Sequence, residues 1–352
     1  MWSRLTEPGD RKAHRFVEEL GVLPALEAVV GGPAPGVEAR WRVRLPEVDL
    51  HRDLRQLERV GGRIVIPDDP QWPGGLDDLG DRAPFCLWVR GPGGLGPELD
   101  RSVAVVGARA ASGYGEHVAV DLGFGLAARG LAVVSGAAYG IDAHAHRGAL
   151  AAGGPTVAVL ASGVDRPYPR GNHRMIENIA AQGCVVSEVP PGSAPTRWRF
   201  IQRNRLIAAM TRATVVVEAA LRSGTSITAR EAVELGREVG AVPGPVTSPT
   251  SAGCHELLRS GAVCVTRTEE IVELVSALGE YVAQPPATPT ADHDGLRPDD
   301  LRALDAVPLR RPAPVSDIAR AAGLDPRQVA SALALLELRG LVRSAASGWV
   351  RS

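Results

Sequence analysis

The chain has 352 residues, 45% hydrophobic and 22% charged, with 39 basic and 40 acidic side chains and a formal net charge of -1. A chain of this length outgrows one hydrophobic core, so two or three domains are expected, and the near-neutral balance excludes recognition of a polyanion by bulk charge alone. Lys12 is the single lysine, so positive charge is almost wholly arginine; bidentate phosphate chemistry and a GC-rich coding bias both account for this.

Residues 1–62 read as a small helical domain. "RKAHRFVEELGVLPALEAVV" and "LHRDLRQLERVGG" carry apolar residues at helical spacing between Gly and Pro breaks. No chemistry attaches to them, and Arg4 lies outside every loop with phosphate-binding character. The polar start "MWSRLTEPGDRK", with no apolar run near the ~18 residues of a membrane span, predicts a cytoplasmic protein. Cys86, Cys184, Cys254 and Cys264 show no C-x-x-C spacing, which predicts structural thiols rather than a zinc site.

From residue 63 to about 280 the texture changes. "SVAVVGAR", "LAVVSGAA", "TVAVLASG", "CVVSEVPPG", "ATVVVEAA", "EVGAVPGP" and "AVCV" are apolar throughout, each closed by Gly, Ser or Pro and most followed by a helical pattern. Runs that do not alternate suit strands buried on both faces, and the alternation with helices predicts an α/β, Rossmann-like, doubly wound and mostly parallel sheet. Residues 281–295, "YVAQPPATPTADHDG", read as a linker. Residues 296–352 have helix–helix–turn–helix spacing followed by two short strands, the layout of a C-terminal winged helix.

In such a sheet the ligand site lies beyond the carboxyl ends of the strands. The loop "VVGARAASGYG" is not a dinucleotide fingerprint. The nearest G-x-G-x-x-G match puts Val118 at the third glycine, and no acid follows the next strand to hold a ribose. No cofactor is expected. Gly107 and Arg109, where the strand stops, suit a phosphate. "TRWRFIQRNRLIAAMTR" holds five arginines and no acid, with Trp198 and Phe200 interleaved, a pattern that fits phosphates and stacked bases of a single strand. Ser223, Gly224, Thr225 and Ser226 open a helix and form an anion site, with Thr228 and Glu231 at capping-box spacing. "DRPYPRGNHR" supplies Arg170, Asn172, His173 and Arg174, with Tyr168 as a stacking platform. Two combinations are decoys. In "GIDAHAH", Asp142 and His146 share a helix face but His144 points away, a poor metal set. Cys254 and His255 are neighbours in sequence only, which does not make a catalytic pair.

"VAVVGAR", "VVSGAAYGIDAHAHRGAL", "VAVLASGVDRPYPRGNH", "VVSEVPPG", "FIQRNRLIAAM", "VVVEAALRSGTSITAREA" and "AVPGPVTSPTSAGCHELLRSGA" occur in this order, and together they resemble the DNA-processing protein A family. The resemblance implies a single-stranded-DNA binding protein of natural transformation, cytoplasmic and not an enzyme. Such a protein protects incoming strands, forms homodimers and loads the recombinase RecA. It implies DNA contacts at Arg109, Ser135, Gly136, Asn172, Arg203, Asn204, Arg205, Ser223 and Gly224, and at Arg170 or Arg174. It also implies dimerisation through the end of the Rossmann-like domain, where Leu257, Leu258 and Val263 are the apolar anchors. The chain departs from the family at Tyr139 (usually Arg), Ala108 (usually Ser) and His144 (usually small).

Two other functions compete. Related folds hydrolyse nucleoside monophosphates, but "LRSGTS" lacks the double glycine and Glu218 has no evident partner base. A winged-helix transcription factor would read bases from the face bearing Arg327, Gln328, Ser331 and Ala334. That offers one arginine where specific readers need several side chains.

Overall fold

The apolar runs become parallel strands of one sheet in the computed structural model, which describes residues 1–221, 223–277, 280–284 and 294–352. Two units are distinguished, Met1–Ala283 and Gln284–Ser352, and most of the linker expected at 281–295 lies outside the described residues.

The first unit opens with five helices, α1 (Trp2–Leu5), α2 (Arg11–Leu20), α3 (Val22–Gly31), α4 (Ala39–Val43) and α5 (Leu50–Arg59). They share a small core of Trp2, Phe16, Val17, Val29 and Trp41. They are also tied to the rest of the unit. Arg4 pairs with the buried Asp53 at 2.5 Å and donates to the Pro191 carbonyl, Gln56 donates to Asp165, and Arg199 donates to Glu7. Arg4, expected to stand free of the loops, is thus part of their support.

The sheet contains β1 (Gly62–Val65), β2 (Leu87–Arg90), β3 (Ser102–Val106), β4 (Ala132–Ser135), β5 (Thr156–Leu160), β6 (Cys184–Ser187), β7 (Ala213–Val216), β8 (Glu238–Ala241) and β9 (Val263–Cys264). Their order is β1-β2-β6-β5-β4-β3-β7-β8-β9. The strands from β3 to β9 run parallel, whereas β2 pairs antiparallel with both β1 and β6. Sequence reading does not single out Leu87–Arg90, whose four residues mix Arg and Trp between Pro- and Gly-rich turns.

Helices α6 (Gly113–Ala127), α7 (Ile141–Ala151), α8 (His173–Gln182), α9 (Arg197–Ala209), α10 (Gly224–Glu234), α11 (Ala252–Arg259) and α12 (Thr268–Val275) complete this unit. Successive residues of β3 face opposite layers. Ala104 and Val106 pack with Leu206 and Ala229 of α9 and α10, while Val103 and Val105 pack with Leu122 and Ala145 of α6 and α7. Burial on both faces explains why these runs show no alternation.

The second unit has α13 (Pro298–Ala306), α14 (Val315–Ala322), α15 (Pro326–Leu338), β10 (Val342–Ala345) and β11 (Gly348–Arg351). Gly323 ends α14 in the left-handed conformation, and Asp325 with Gln328 forms a capping box that starts α15. Val329, Ala332, Leu333 and Leu336 of α15 are buried, and Arg327, Gln328, Ser331 and Ala334 face outward, as the sequence pattern predicts.

Candidate nucleic-acid interface

The chain runs outward from β3 through β4 and β5 to β6, then returns to place β7 on the other side of β3. That reversal parts the loops after β3 and β7 and opens a crevice at the carboxyl ends of the strands. A cleft of about 1070 Å³ lies there. Its walls are Gly107–Arg109 after β3, the start of α10, and the N-terminal half of α9.

The loop after β3 is fixed by its neighbours. Ala108 N–H donates to the Glu218 carbonyl, and the Ala108 carbonyl accepts from Ile141 N–H. Gly140, at φ +75, lies so close that a Cβ there would sit 2.2 Å from the Ala108 carbonyl oxygen. Arg109 is exposed and lies over the Phe200 ring at 5.0 Å, a cation–π contact that leaves its N–H groups available. Phe200 packs against Tyr168 at 5.6 Å.

Arg203 forms the floor. It is 6% exposed, donates to the Val159 carbonyl and Asn204 Oδ1, and lies against Gly136, where a Cβ would meet its Nη1 at 2.0 Å. Burial pushes its pKa down to about 10, partly opposed by Asp142, so it remains a cation at neutral pH. Asp142 Oδ2 accepts from the Gly136 and Ala138 N–H groups, and burial raises its pKa, opposed by Arg203. Among the described residues the cleft is lined by four arginines (Arg109, Arg197, Arg203, Arg230) and one acid, Asp142.

Ser223 caps α10, its Oγ accepting from Ser226 N–H at 3.4 Å. This corrects the capping-box reading of Thr228 and Glu231, which lie inside α10. The cap stands five residues earlier, because the local Ser–Gly–Thr–Ser run already satisfies it. First-turn amides have no acceptor within their own helix, so the start of α10 presents donors and positive dipole to the cleft.

The structure sorts the expected contact residues. Gly107, Arg109, Arg203, Asn204, Ser223, Gly224 and Thr225 line the cleft. Ser135 is buried and donates to the Val105 carbonyl, and Gly136 backs Arg203. Asn172 is buried, its amide donating to the Ala137 and Ala138 carbonyls. Arg205 is buried in a bidentate pair with Glu188, both distances 2.8 Å. Arg170 and Arg174 are exposed, and between them Gly171 N–H donates to the Tyr139 hydroxyl. Leu257 and Leu258 are half-buried against the core, while Val263 on the edge strand β9 is 38% exposed.

Arg230 lines the cleft with no sequence expectation attached to it, and Asp142, read in the sequence only as part of a poor metal set, lines it too. For Asp142, its position in the first turn of α7, two residues after the Gly140 cap, was the available signal. The decoys resolve structurally. His146 Nδ1 lies 2.8 Å from Thr156 Oγ1 and burial holds its pKa near 3, and no metal-binding cluster occurs among the described residues. Cys254 donates weakly to Val216 and Val217 carbonyls, while His255 bonds Gly244. Burial raises the Cys184 thiol to about 12 and Cys254 to about 11, in keeping with structural roles. Glu218 accepts from Ser112 N–H, Ser112 Oγ and Thr250 Oγ1, so its carboxylate is occupied in joining loops.

Known proteins share this fold. Residues 63–276 match the family profile described as DNA recombination-mediator protein A, and residues 284–348 match the DprA winged helix domain. A DNA processing protein of Mycobacterium tuberculosis is 46% identical over 358 residues, covering 99% of this chain and 92% of that one. The crystal structure of DNA processing protein A from Streptococcus pneumoniae is similar with a TM-score of 0.65 and 33% identity, over 80% of this chain and 95% of that one. A Helicobacter pylori DNA processing protein A, described for its single-stranded DNA binding mode, gives 0.55 and 28% over 62% of this chain and 98% of its own. With its cleft and nearly all of its sheet and winged helix inside the matched regions, this chain belongs to the DNA recombination-mediator protein A family.

Proposed function

We propose that the protein binds single-stranded DNA in this cleft, as a mediator of natural transformation and recombination. In this role it protects incoming strands and loads a RecA recombinase in the cytoplasm. The observation that carries the reading is the pairing of Arg109 with Phe200 beside an α10 start and three further arginines, with a single acid among the described residues of the wall. Phosphates meet guanidinium groups and helix-start amides, while exposed Tyr139 and Tyr168 offer faces for bases. The H. pylori relative supports the choice of ligand. Nothing in the cleft needs a reaction step, and the role is binding rather than catalysis. Among the described residues no helix is long and apolar enough to cross a membrane.

The test is binding of single strands across a salt series. Each phosphate contact contributes roughly -0.7 to the slope of log K against log salt. Arg109→Ala should lower affinity about ten- to a hundred-fold, since a charge-assisted hydrogen bond contributes ~1.5–3 kcal/mol, and should flatten the slope by about 0.7. Arg59→Ala, exposed on α5, is the control. Equal binding by the two variants would remove the cleft from the reading.

A homodimer through the region of Leu257, Leu258 and Val263 belongs to the same proposal. Val263 is the informative position, because Leu257 and Leu258 also contact the core. Val263→Asp should sediment as a monomer with its fold intact; an unchanged sedimentation coefficient would move the interface elsewhere.

A further inference from the structure

Of the six tryptophans, Trp2, Trp41, Trp72 and Trp88 are buried and Trp349 is half-buried, whereas Trp198 is 52% exposed. Trp198 does not line the cleft. It lines a second groove of about 260 Å³, together with Ile201, Gln202, Arg11 and Arg82. Ile201 belongs to the walls of both cavities, so the two grooves adjoin across α9. The spacing explains this. Trp198, Ile201, Gln202 and Arg205 are three, four and seven residues apart and share one helix face, while Phe200 and Asn204 face the cleft.

The charges of the second groove divide into two kinds. Arg82 donates to both oxygens of Glu231, and Arg205 to both of Glu188, so these two fix its shape. Arg11 is different. Its side chain is 58% exposed, and its nearest carboxylate, Asp81, is 3.8 Å away. Arg197, next to Trp198, is exposed with no carboxylate partner among the described residues. An accessible indole flanked by available guanidinium groups, continuous with a phosphate-binding cleft, fits an extended single strand better than an apolar partner.

We propose that a single strand held in the cleft continues over Ile201, stacks a base on Trp198 and sets a further phosphate beside Arg11. This rests on the single-strand reading of the cleft. It gives the protein a second binding segment whose contribution depends on strand length.

The test compares oligothymidylates of about six and about twenty nucleotides, the shorter able to fill the cleft alone and the longer able to reach both grooves. Trp198→Ala should lower affinity for the longer strand about ten-fold and leave the shorter unchanged. Trp198→Phe should keep most of the longer strand's affinity but lose the quenching of indole fluorescence expected of the native protein. Arg109→Ala should weaken both lengths. The proposal is overturned if Trp198→Ala binds the longer strand like the native protein, or weakens both lengths equally, while Arg109→Ala weakens both. If Arg109→Ala binds both lengths normally, the cleft reading falls first and the extension with it.

Discussion

Where the parallel strands begin, Arg237 pairs with Asp78 at 2.5 Å, Arg129 pairs with Glu269, and Arg212 donates to the Asp100 carbonyl. Where they end, Arg109, Arg197, Arg170 and Arg174 have no carboxylate partner among the described residues, and Arg203 donates to a carbonyl and an amide oxygen. One residue type serves two purposes on one sheet. Matched to a carboxylate it holds elements together; left unmatched beside aromatic rings it keeps donors in reserve for an external anion. Counting arginines along the chain cannot separate these roles, because their partners come from distant segments.

α9 carries both kinds within three residues, which makes the contrast breakable by substitution. The largest effect is expected at Arg205. Removing it leaves Glu188, only 12% exposed, without its partner, and breaking a buried pair costs about 3–5 kcal/mol. Arg205→Ala should therefore lower the denaturation midpoint steeply, while the folded fraction retains its affinity for strands short enough to fill the cleft alone. A variant of native stability and poor binding would place Arg205 with the cleft instead.

Arg109→Ala should show the opposite pattern. Its exposed side chain rests on the Phe200 ring and holds no carboxylate, so stability should stay within about 0.5 kcal/mol of native while affinity falls. The smallest effect is expected at Arg237, whose partner Asp78 is mostly exposed. Arg237→Ala should cost about 1 kcal/mol or less and leave binding untouched. If it weakened single-strand binding as much as Arg109→Ala, the two ends of the sheet would not differ in this way.

The sheet was legible in the sequence because its signal is local. "SVAVV", "TVAVL" and "ATVVV" are apolar at nearly every position, and only a strand covered on both faces tolerates that without exposing half its side chains. The winged helix was legible for a similar reason. Gly323, Asp325 and Pro326 stop one helix and start the next within four residues. The loops bearing Arg109 and Ser223 followed from the rule that ligands bind where parallel strands end.

Tertiary packing decided the rest. Arg203 and Arg205 stand two residues apart in "RNR", and at about 100° per residue they point in widely different directions. Which one reaches the cleft depends on the face α9 lays against the sheet, and that is set by Leu206 and its neighbours packing under β3. Asn172 sits in a polar loop that looks solvated, yet its amide turns inward because the Ala137 and Ala138 carbonyls would otherwise be buried without donors. Arg4 and Asp53 are forty-nine residues apart, and only the folding of α1 against α5 makes them a pair. By itself the sequence determined the parallel strands, the helix stop and start in the winged helix and the chemistry available in each loop, since these depend on near neighbours. The fold decided which polar groups satisfy one another and which remain unmatched, because that depends on residues brought together from across the chain.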